Sequence, residues 1–438
     1  MHMMEPRKET ELGELPASWR VAQLGELLSK AQYGASVKGA SSGAYPILRM
    51  TNQVNGRISS ANLQYADVSS RDLENFRVQR GDILFNRTNS FELVGRTAIF
   101  DLVGDYVFAS YLIRLRTLEA VLNPFFLNAY LNARETQRRL KGIATRAVSQ
   151  SNISASRLRT FVVPVPPIAE QRKIVMVLGL VQEAMDQQER LIALSSELKK
   201  ALLHHLFTHG LRGEPQKQTE IGPVPHSWEA VALGDVISQS PKNGLYKHNS
   251  AYGSGTLILR INDFSNDGDK VFTAALRVEL DAGETKLYAL REDDIVTNRV
   301  NSLSHLGKTA LIGRLEEPMV FESNMMRFRV DENRAIPAYV LRLLNSPVGK
   351  NQFLGSAKRA VGQASISQGN LRAIKVPLPS VSMQRKIVNI LDTVIQKNEI
   401  HQRKHTALTA LFRILLHRLM TAELRVHDLE LPGREIMP

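Results

Sequence analysis

The stretch GIATRAVSQSNISASRLRTFVVPVPPIAEQRKIVMVL at residues 142–178 returns as GSAKRAVGQASISQGNLRAIKVPLPSVSMQRKIVNIL at residues 355–391. Arg146 and Arg359, Gln150 and Gln363, Pro164 and Pro377, and the blocks opening on Gln171 and Gln384 all stand 213 residues apart. An offset of about half the 438-residue chain marks an internal duplication, and so two equivalent modules that meet two related targets.

The repeat continues toward the N-terminus. ELGELPASWRVAQLGEL (11–27) answers EIGPVPHSWEAVALGDV (220–236), with Trp19 and Trp228 209 apart. ILRMTN (47–52) answers ILRIND (258–263) at 211, and GDILFNRTNSFELVGRT (81–97) answers DDIVTNRVNSLSHLGKT (293–309) at 212. The offset therefore climbs only between matched blocks, in stretches rich in Gly, Ser and Asn such as YGASVKGASSG and PKNGLYKHNSAYGSG. Those stretches are expected to be surface loops on a shared scaffold.

Most matched blocks are short aliphatic or β-branched runs, as in DILF and TAIF or LILRI and DIVTN, and are expected to be strands. Pro124 and Pro337 suit a first helical turn, which places one helix after each. Beyond the proline pairs Pro164/Pro166 and Pro377/Pro379, no proline interrupts Ile168 to about Phe207 or Val381 to about Met420. Each stretch is expected to form one helix of about 60 Å. Apolar residues alternate by four and three along both: Ile174, Leu178, Val181, Met185 and Ile192 in one, Ile387, Leu391 and Val394 in the other. Coiled-coil spacing of matched length points to mutual pairing, with Ser195 and Asn398 among the polar positions that set register. The fold class is α+β: two homologous mixed α/β lobes joined by two long antiparallel helices that form a coiled coil.

Lys and Arg number 56 against 43 Asp and Glu, a formal charge of +13 that favours a polyanionic partner. With no cysteine, disulfides and thiolate metal sites are excluded. No apolar run reaches the length of a membrane span and the opening MHMMEPRKETELGE lacks a signal-peptide core, so the expected location is the cytoplasm, with no membrane partner.

The openings LGELPASWR and IGPVPHSWE, the strand-and-loop GDILFNRTNS and DDIVTNRVNS, and the exits PVPPIAEQRKIV and PLPSVSMQRKIV occur twice in the same order. In this the chain resembles, over essentially its whole length, the specificity subunit of type I restriction–modification systems; Met383 in place of Glu170 is a departure in the second exit. The resemblance implies target-recognition domains at 1–165 and 211–378, spacer helices at 166–210 and 379–422, and a C-terminal tail at 423–438. It implies a non-catalytic subunit without a cofactor that reads a bipartite double-stranded DNA target. Its partners would be two methyltransferase subunits and, through the complex, restriction and translocase subunits, docked on the outer faces of the long helices, where Leu191, Leu194, Leu198, Leu203 and Leu411 are candidates beyond the narrow seam. A rigid helical spacer then separates two short recognition events by an unread gap.

What both copies share cannot tell two half-sites apart, so shared polar residues are expected to be scaffold or phosphate contacts. These are Arg49, Asn86, Arg87, Asn89, Ser90, Arg146, Gln150 and Ser154, with Arg260, Asn298, Arg299, Asn301, Ser302, Arg359, Gln363 and Ser367. Residues that differ are candidates for base reading: Tyr33, Ser36, Lys38, Asn52 and Gln53 in the first copy, Asn243, Tyr246, Lys247, His248, Asn262 and Asp263 in the second. Asn and Gln pair bidentately with adenine, and Lys reaches guanine. Asn and Ser after a strand equally serve as turn residues.

Three enzyme-like signals fall away. Asn123-Pro124-Phe125-Phe126 lacks the second proline of a methyltransferase motif and reads as a helix start. Gly307-Lys308-Thr309 has Ser302 where a phosphate loop needs glycine. His205 and His209 lack a third metal ligand. Two rival functions stay open on the residues alone: a stand-alone DNA methyltransferase or nuclease, and a coiled-coil adaptor without DNA readout.

Overall fold

The computed structural model of the chain describes residues 5–146, 150–265, 268 and 276–429. They fall into two compact units: Met1–Gln188 with Lys404–Pro438, and Glu189–Arg403. Each unit therefore holds part of both long helices, Ile168–Thr208 and Val381–Met420. These bounds match the proline-free stretches closely.

In the first unit a six-stranded sheet runs in the order Leu28–Tyr33, Leu112–Thr117, Ile83–Asn86, Thr97–Ile99, Arg57–Ile58, Gln53–Val54. The Ile83–Asn86 strand is buried on both faces: Ile83 and Phe85 enter the main core, and Leu84 a second core with Ala98, Phe108 and Leu112. Period-two alternation explains why such a strand reads as a continuous apolar run. The second unit repeats the arrangement in four strands, Ile237–Asn243, Met325–Val330, Ile295–Asn298 and Thr309–Leu311. Ile295 and Val296 again divide between two cores.

Helices begin at Pro124 and Pro337, as their sequence position suggests. Asn123 caps the first by accepting the backbone N–H groups of Phe125 (2.9 Å) and Phe126 (3.2 Å), which accounts for the NPFF signal. The strands Val162–Val165 and Lys375–Leu378, which carry Pro164 and Pro377, pair antiparallel with Arg20–Gln23 and Glu229–Ala232. Trp19 and Trp228 are buried beside them.

From here the chain enters each long helix through a buried glutamine. Gln171 accepts the N–H of Asn123 at 2.8 Å and donates to the carbonyls of Val121 (2.9 Å) and Pro166 (2.8 Å). In the second unit Gln384 accepts from Ile336 at 2.8 Å and donates to Arg334 (2.8 Å) and Pro379 (2.9 Å). Glu170 and Met383, one residue earlier, do different work. Glu170 accepts from the Trp19 indole at 3.0 Å and is bridged by Arg425, which also meets Glu5. Met383 instead packs at the edge of the second unit's core.

In the first unit Ile174, Val177 and Leu178 share a core with Phe412, Leu415, Leu419 and Met420. In the second, Leu203, Leu206 and Phe207 share one with Ile387, Val388 and Leu391. Within each unit the start of one helix thus lies beside the end of the other, which is antiparallel pairing. Asn398 joins the second unit's pair by donating to Ile192 O (3.0 Å), Ser195 Oγ (2.6 Å) and Ser196 Oγ (3.1 Å). Val177 and Leu203, outside the narrow seam, are also buried, because near the helix ends the lobe's own core takes a second face and widens the apolar stripe. Among the described residues, no helix is long and apolar enough to cross a membrane.

Buried carboxylates repeat as well. Asp82 accepts a two-pronged contact from Arg116 (2.7 Å to each oxygen), and Asp294 accepts from Arg329 at 2.5 Å. Each carboxylate also takes a backbone N–H, from Gln79 and Arg291 respectively, so the charge is met from two sides.

Replacing Gln384 by Leu strands three buried backbone groups and is expected to cost about 2–4 kcal/mol, measured as a lowered denaturant midpoint. Gln171→Leu should cost a similar amount. The Glu5 carboxyl lies at about 2 against its ordinary 4.5, drawn down first by the Ser18 hydroxyl and then by Arg425. A depressed carboxyl stabilises above its ordinary pKa and loses that contribution as pH falls through the folded value. Chemical denaturation should therefore find Glu5→Gln less stable than the parent above pH 4.5, the two converging as pH falls toward 2.

Candidate nucleic-acid interface

The loop after each first long strand leaves the sheet at a glycine the fold requires. A Cβ on Gly34 would lie 2.3 Å from the Ala109 carbonyl oxygen, and one on Gly244 2.1 Å from that of Glu322. The next residues make matching bridges, Ala35 to Ala109 and Leu245 to Glu322. Two divergent loops are thus held at equivalent points.

Next to this anchor stands a short turn that both units build alike. Asn52 accepts the Arg49 N–H at 3.0 Å, and Asp263 accepts that of Arg260 at 2.7 Å. Asn52 is buried and also donates to Ser59 and Ala61 carbonyls. Gln53 donates to Leu84 O at 2.7 Å. Asn52 and Asp263 are thus spent on the turn and Gln53 on the central strand, whereas Asn262 is exposed beside the turn.

The Asn-Arg pair ending the central strand is built into its surroundings alike in both units. Asn86 and Asn298 are buried, and Asn298 has no side-chain partner among the described residues. Arg87 donates to Ser110 O at 3.4 Å and Arg299 to Ser323 O at 3.3 Å, the equivalent carbonyl. Their own carbonyls accept from Ile153 and Ile366, each at 2.9 Å. Arg87 also lies over the Tyr33 ring at 4.7 Å, and Tyr33 Oη accepts from Ala155 N at 2.9 Å. At the Tyr33 position Asn243 accepts instead from Gln368 Nε2 at 3.4 Å.

Asn89 and Asn301 each accept the N–H of the following Ser90 or Ser302 at 2.8 Å. Ser154 and Ser367 cap short helices, accepting from Arg157 N (3.2 Å) and Asn370 N (3.1 Å). Shared Asn and Ser residues thus form turns and caps, for which short polar side chains are suited. Arg146, Gln150, Arg359 and Gln363 remain exposed, with Arg146 over the Phe91 ring at 3.9 Å.

The loops themselves differ in charge. In the first unit Ser36, Lys38, Arg49, Gln64, Ser110 and Tyr111 line a cleft of ≈ 590 Å³, and none of its described lining residues is acidic. In the second unit the loop lysine and the turn arginine are paired. Lys247 lies 2.7 Å from Glu284, and Arg260 lies 3.7 Å from Glu322. Burial, then Glu322, pushes the neighbouring Tyr252 hydroxyl up from its ordinary value. Tyr246 and His248 stay exposed, His248 accepting the Ser250 N–H at 3.4 Å to start a turn. Gln64, Tyr111, Glu284 and Glu322 were not singled out from sequence. Glu322 had a signal, since it interrupts the matched VFAS/VFES block where the first copy has Ala109.

Lys308 donates to Ile261 O at 2.8 Å over the Phe264 ring, and burial pushes its ammonium pKa down. Gly307 turns at φ +71 against Phe353. The GKT triplet is therefore built into a turn and strand start. His205 and His209 stack ring on ring, 4.9 Å apart.

The family model for the type I restriction modification DNA specificity domain matches this chain twice, at residues 16–195 and 225–410. The chain is 26% identical over 432 residues to a Methanocaldococcus jannaschii protein provisionally named the type I restriction enzyme MjaX specificity subunit, covering 96% of each. It is 23% identical to the type I restriction enzyme StySPI specificity subunit of Salmonella potsdam, covering 91% of this chain and 86% of that one. In fold it is similar to the type I restriction–modification S subunit of M. genitalium, with a TM-score of 0.57 at 17% identity, covering 92% of this chain and 96% of that one.

Proposed function

The chain belongs to the family of type I restriction modification DNA specificity domains and is a non-catalytic DNA-recognition subunit, and we propose that it reads a two-part target, one part with each unit. The observation that carries the division of labour is the pair of glycine-anchored loops: equivalent positions, different polar side chains. The shared Arg87 and Arg299 hold the loops and contribute a sequence-independent positive field. Lys38 faces the first unit's cleft, where no described lining residue is acidic, a donor suited to guanine N7 and O6, while the shared Arg49 beside it adds to the sequence-independent field. The second unit sets Glu322 beside Arg260, where it also accepts the Ile261 N–H at 2.7 Å, so its paired charge favours a different base edge.

As a type I specificity subunit the chain works with methyltransferase and restriction subunits. Duplication suggests one methyltransferase subunit for each repeat, two in all. Leu198 and Leu411, 213 residues apart, are both exposed on their helices and are the proposed docking positions, with Leu194 beside Leu198. Leu191 is half-buried, and Leu203 is excluded because it lies in the core.

Genome-wide mapping of methylated sites, with the chain expressed beside its methyltransferase subunits, is expected to return a split motif; a continuous motif overturns the two-part reading. On a library of half-sites, Lys38→Ala should alter preference at one half only, whereas Arg87→Ala should weaken binding at every sequence. Uniform loss from Lys38→Ala would refute the sorting. In co-purification, Leu198→Glu with Leu411→Glu should lose methyltransferase subunits while duplex binding persists; full recovery of the complex would place docking elsewhere.

A further inference from the structure

The hairpin Lys358–Ala360 and Gln363–Ser365 in the second unit has an apolar point. Val361 is fully exposed at its tip, at 105% of the reference accessibility, and Gly362 turns the chain at φ +76. The base of the hairpin is firm: its inner strand pairs with Val300–Asn301, and Ala364 and Ile366 are buried. Lys358, Arg359 and Gln363 are exposed around the tip, and the eight residues from Lys358 to Ser365 include two cations and no carboxylate.

One exposed valine is ordinary on a protein surface. Here, though, the tip is written twice. Arg359-Ala360-Val361-Gly362-Gln363 matches Arg146-Ala147-Val148-Ser149-Gln150, of which residues 147–149 lie outside the described residues. The loops at Gly34 and Gly244 have diverged, yet the sequence keeps a valine at this point in both copies, and in the second it packs on nothing. A residue shared by both copies cannot distinguish half-sites, so base reading does not account for it. A rigid, cationic hairpin with an apolar point has the chemistry of a wedge, which unstacks a base step while its cations hold the flanking phosphates.

We propose that Val361 inserts between stacked base pairs of the half-site met by the second unit, with Arg359 and Lys358 on the adjoining backbone. The insertion bends or opens the duplex at a deformable step, and a pyrimidine–purine step is the least costly one to open. This rests on the DNA-recognition reading above. The substitution is clean, because a side chain exposed on all sides can be changed with little effect on folding.

The test uses the full chain with its methyltransferase subunits and duplexes of the mapped target, with aminopurine placed in turn at each step of the second half-site. The wild type should raise aminopurine fluorescence at one step. Val361→Ser should abolish the rise and weaken binding about tenfold, the value of one buried valine side chain. Val361→Leu should preserve both, and melting of the free protein should be unchanged in each variant. Binding by the wild type without any fluorescence rise overturns the wedge and leaves DNA recognition standing. So does a serine variant that unstacks and binds like the wild type. Failure of the wild type to bind the duplex at all overturns the DNA reading itself.

Discussion

The carboxamide of Gln171, wholly buried, ties together the backbone before the first long helix, the start of the Pro124 helix and the carbonyl of Val121. Gln384 does the same in the second unit with Arg334, Ile336 and Pro379. An amide is required because the site needs one acceptor and two donors within a single planar group, and no other uncharged side chain supplies both. A carboxylate could not donate, and an aliphatic residue would leave backbone groups buried without partners. Because a helix of about 40 residues magnifies any error at its origin, this clamp sets the direction in which each helix leaves its lobe. The proline strands at Pro164 and Pro377, and the buried tryptophans beside them, are arranged around it.

The same division between shared framework and divergent detail recurs at the candidate interface. Glycines 34 and 244 place a loop, Asn52 and Asp263 hold a turn, and Arg87 and Arg299 brace the loop carrying Ser110 or Ser323. On that framework one unit leaves Lys38 and Arg49 without carboxylates among the described residues, and the other sets Glu284 and Glu322 against Lys247 and Arg260. A bare cation presents donors to its surroundings, while a paired one presents a mixed donor and acceptor edge. The two carboxylates come from outside the divergent loop, Glu284 from the helix Ala282–Tyr288 and Glu322 from the end of the strand Met319–Phe321.

Much of the architecture was legible in the chain itself. The absence of proline from Ile168 to Thr208 and from Val381 to Met420 marked both long helices, and Asn123-Pro124 marked a helix start. Alternating apolar residues located the seam, and Asn398 proved to be one of its polar register points. Site residues were less legible. In sequence Asn52 is a base-reading candidate, and Asn86 and Asn298 suit scaffold or phosphate contact alike; all three side chains are buried, and Asn52 stabilises a turn. Glu284 and Glu322 escaped notice because their partners, Lys247 and Arg260, are 37 and 62 residues away. Leu203 looked like an outward-facing docking residue because helical periodicity locates a stripe but not its width.

By itself the sequence determined the duplication, the two helices and the family, since each is carried by spacing along the chain, which folding does not alter. Tertiary structure alone decided which shared polar residues are buried, which cations have partners, and that Val361 stands free at a hairpin tip. The physical reason is that burial and charge pairing depend on what chain segments tens of residues apart bring to the same point. Periodicity reports only what each segment is ready to bury.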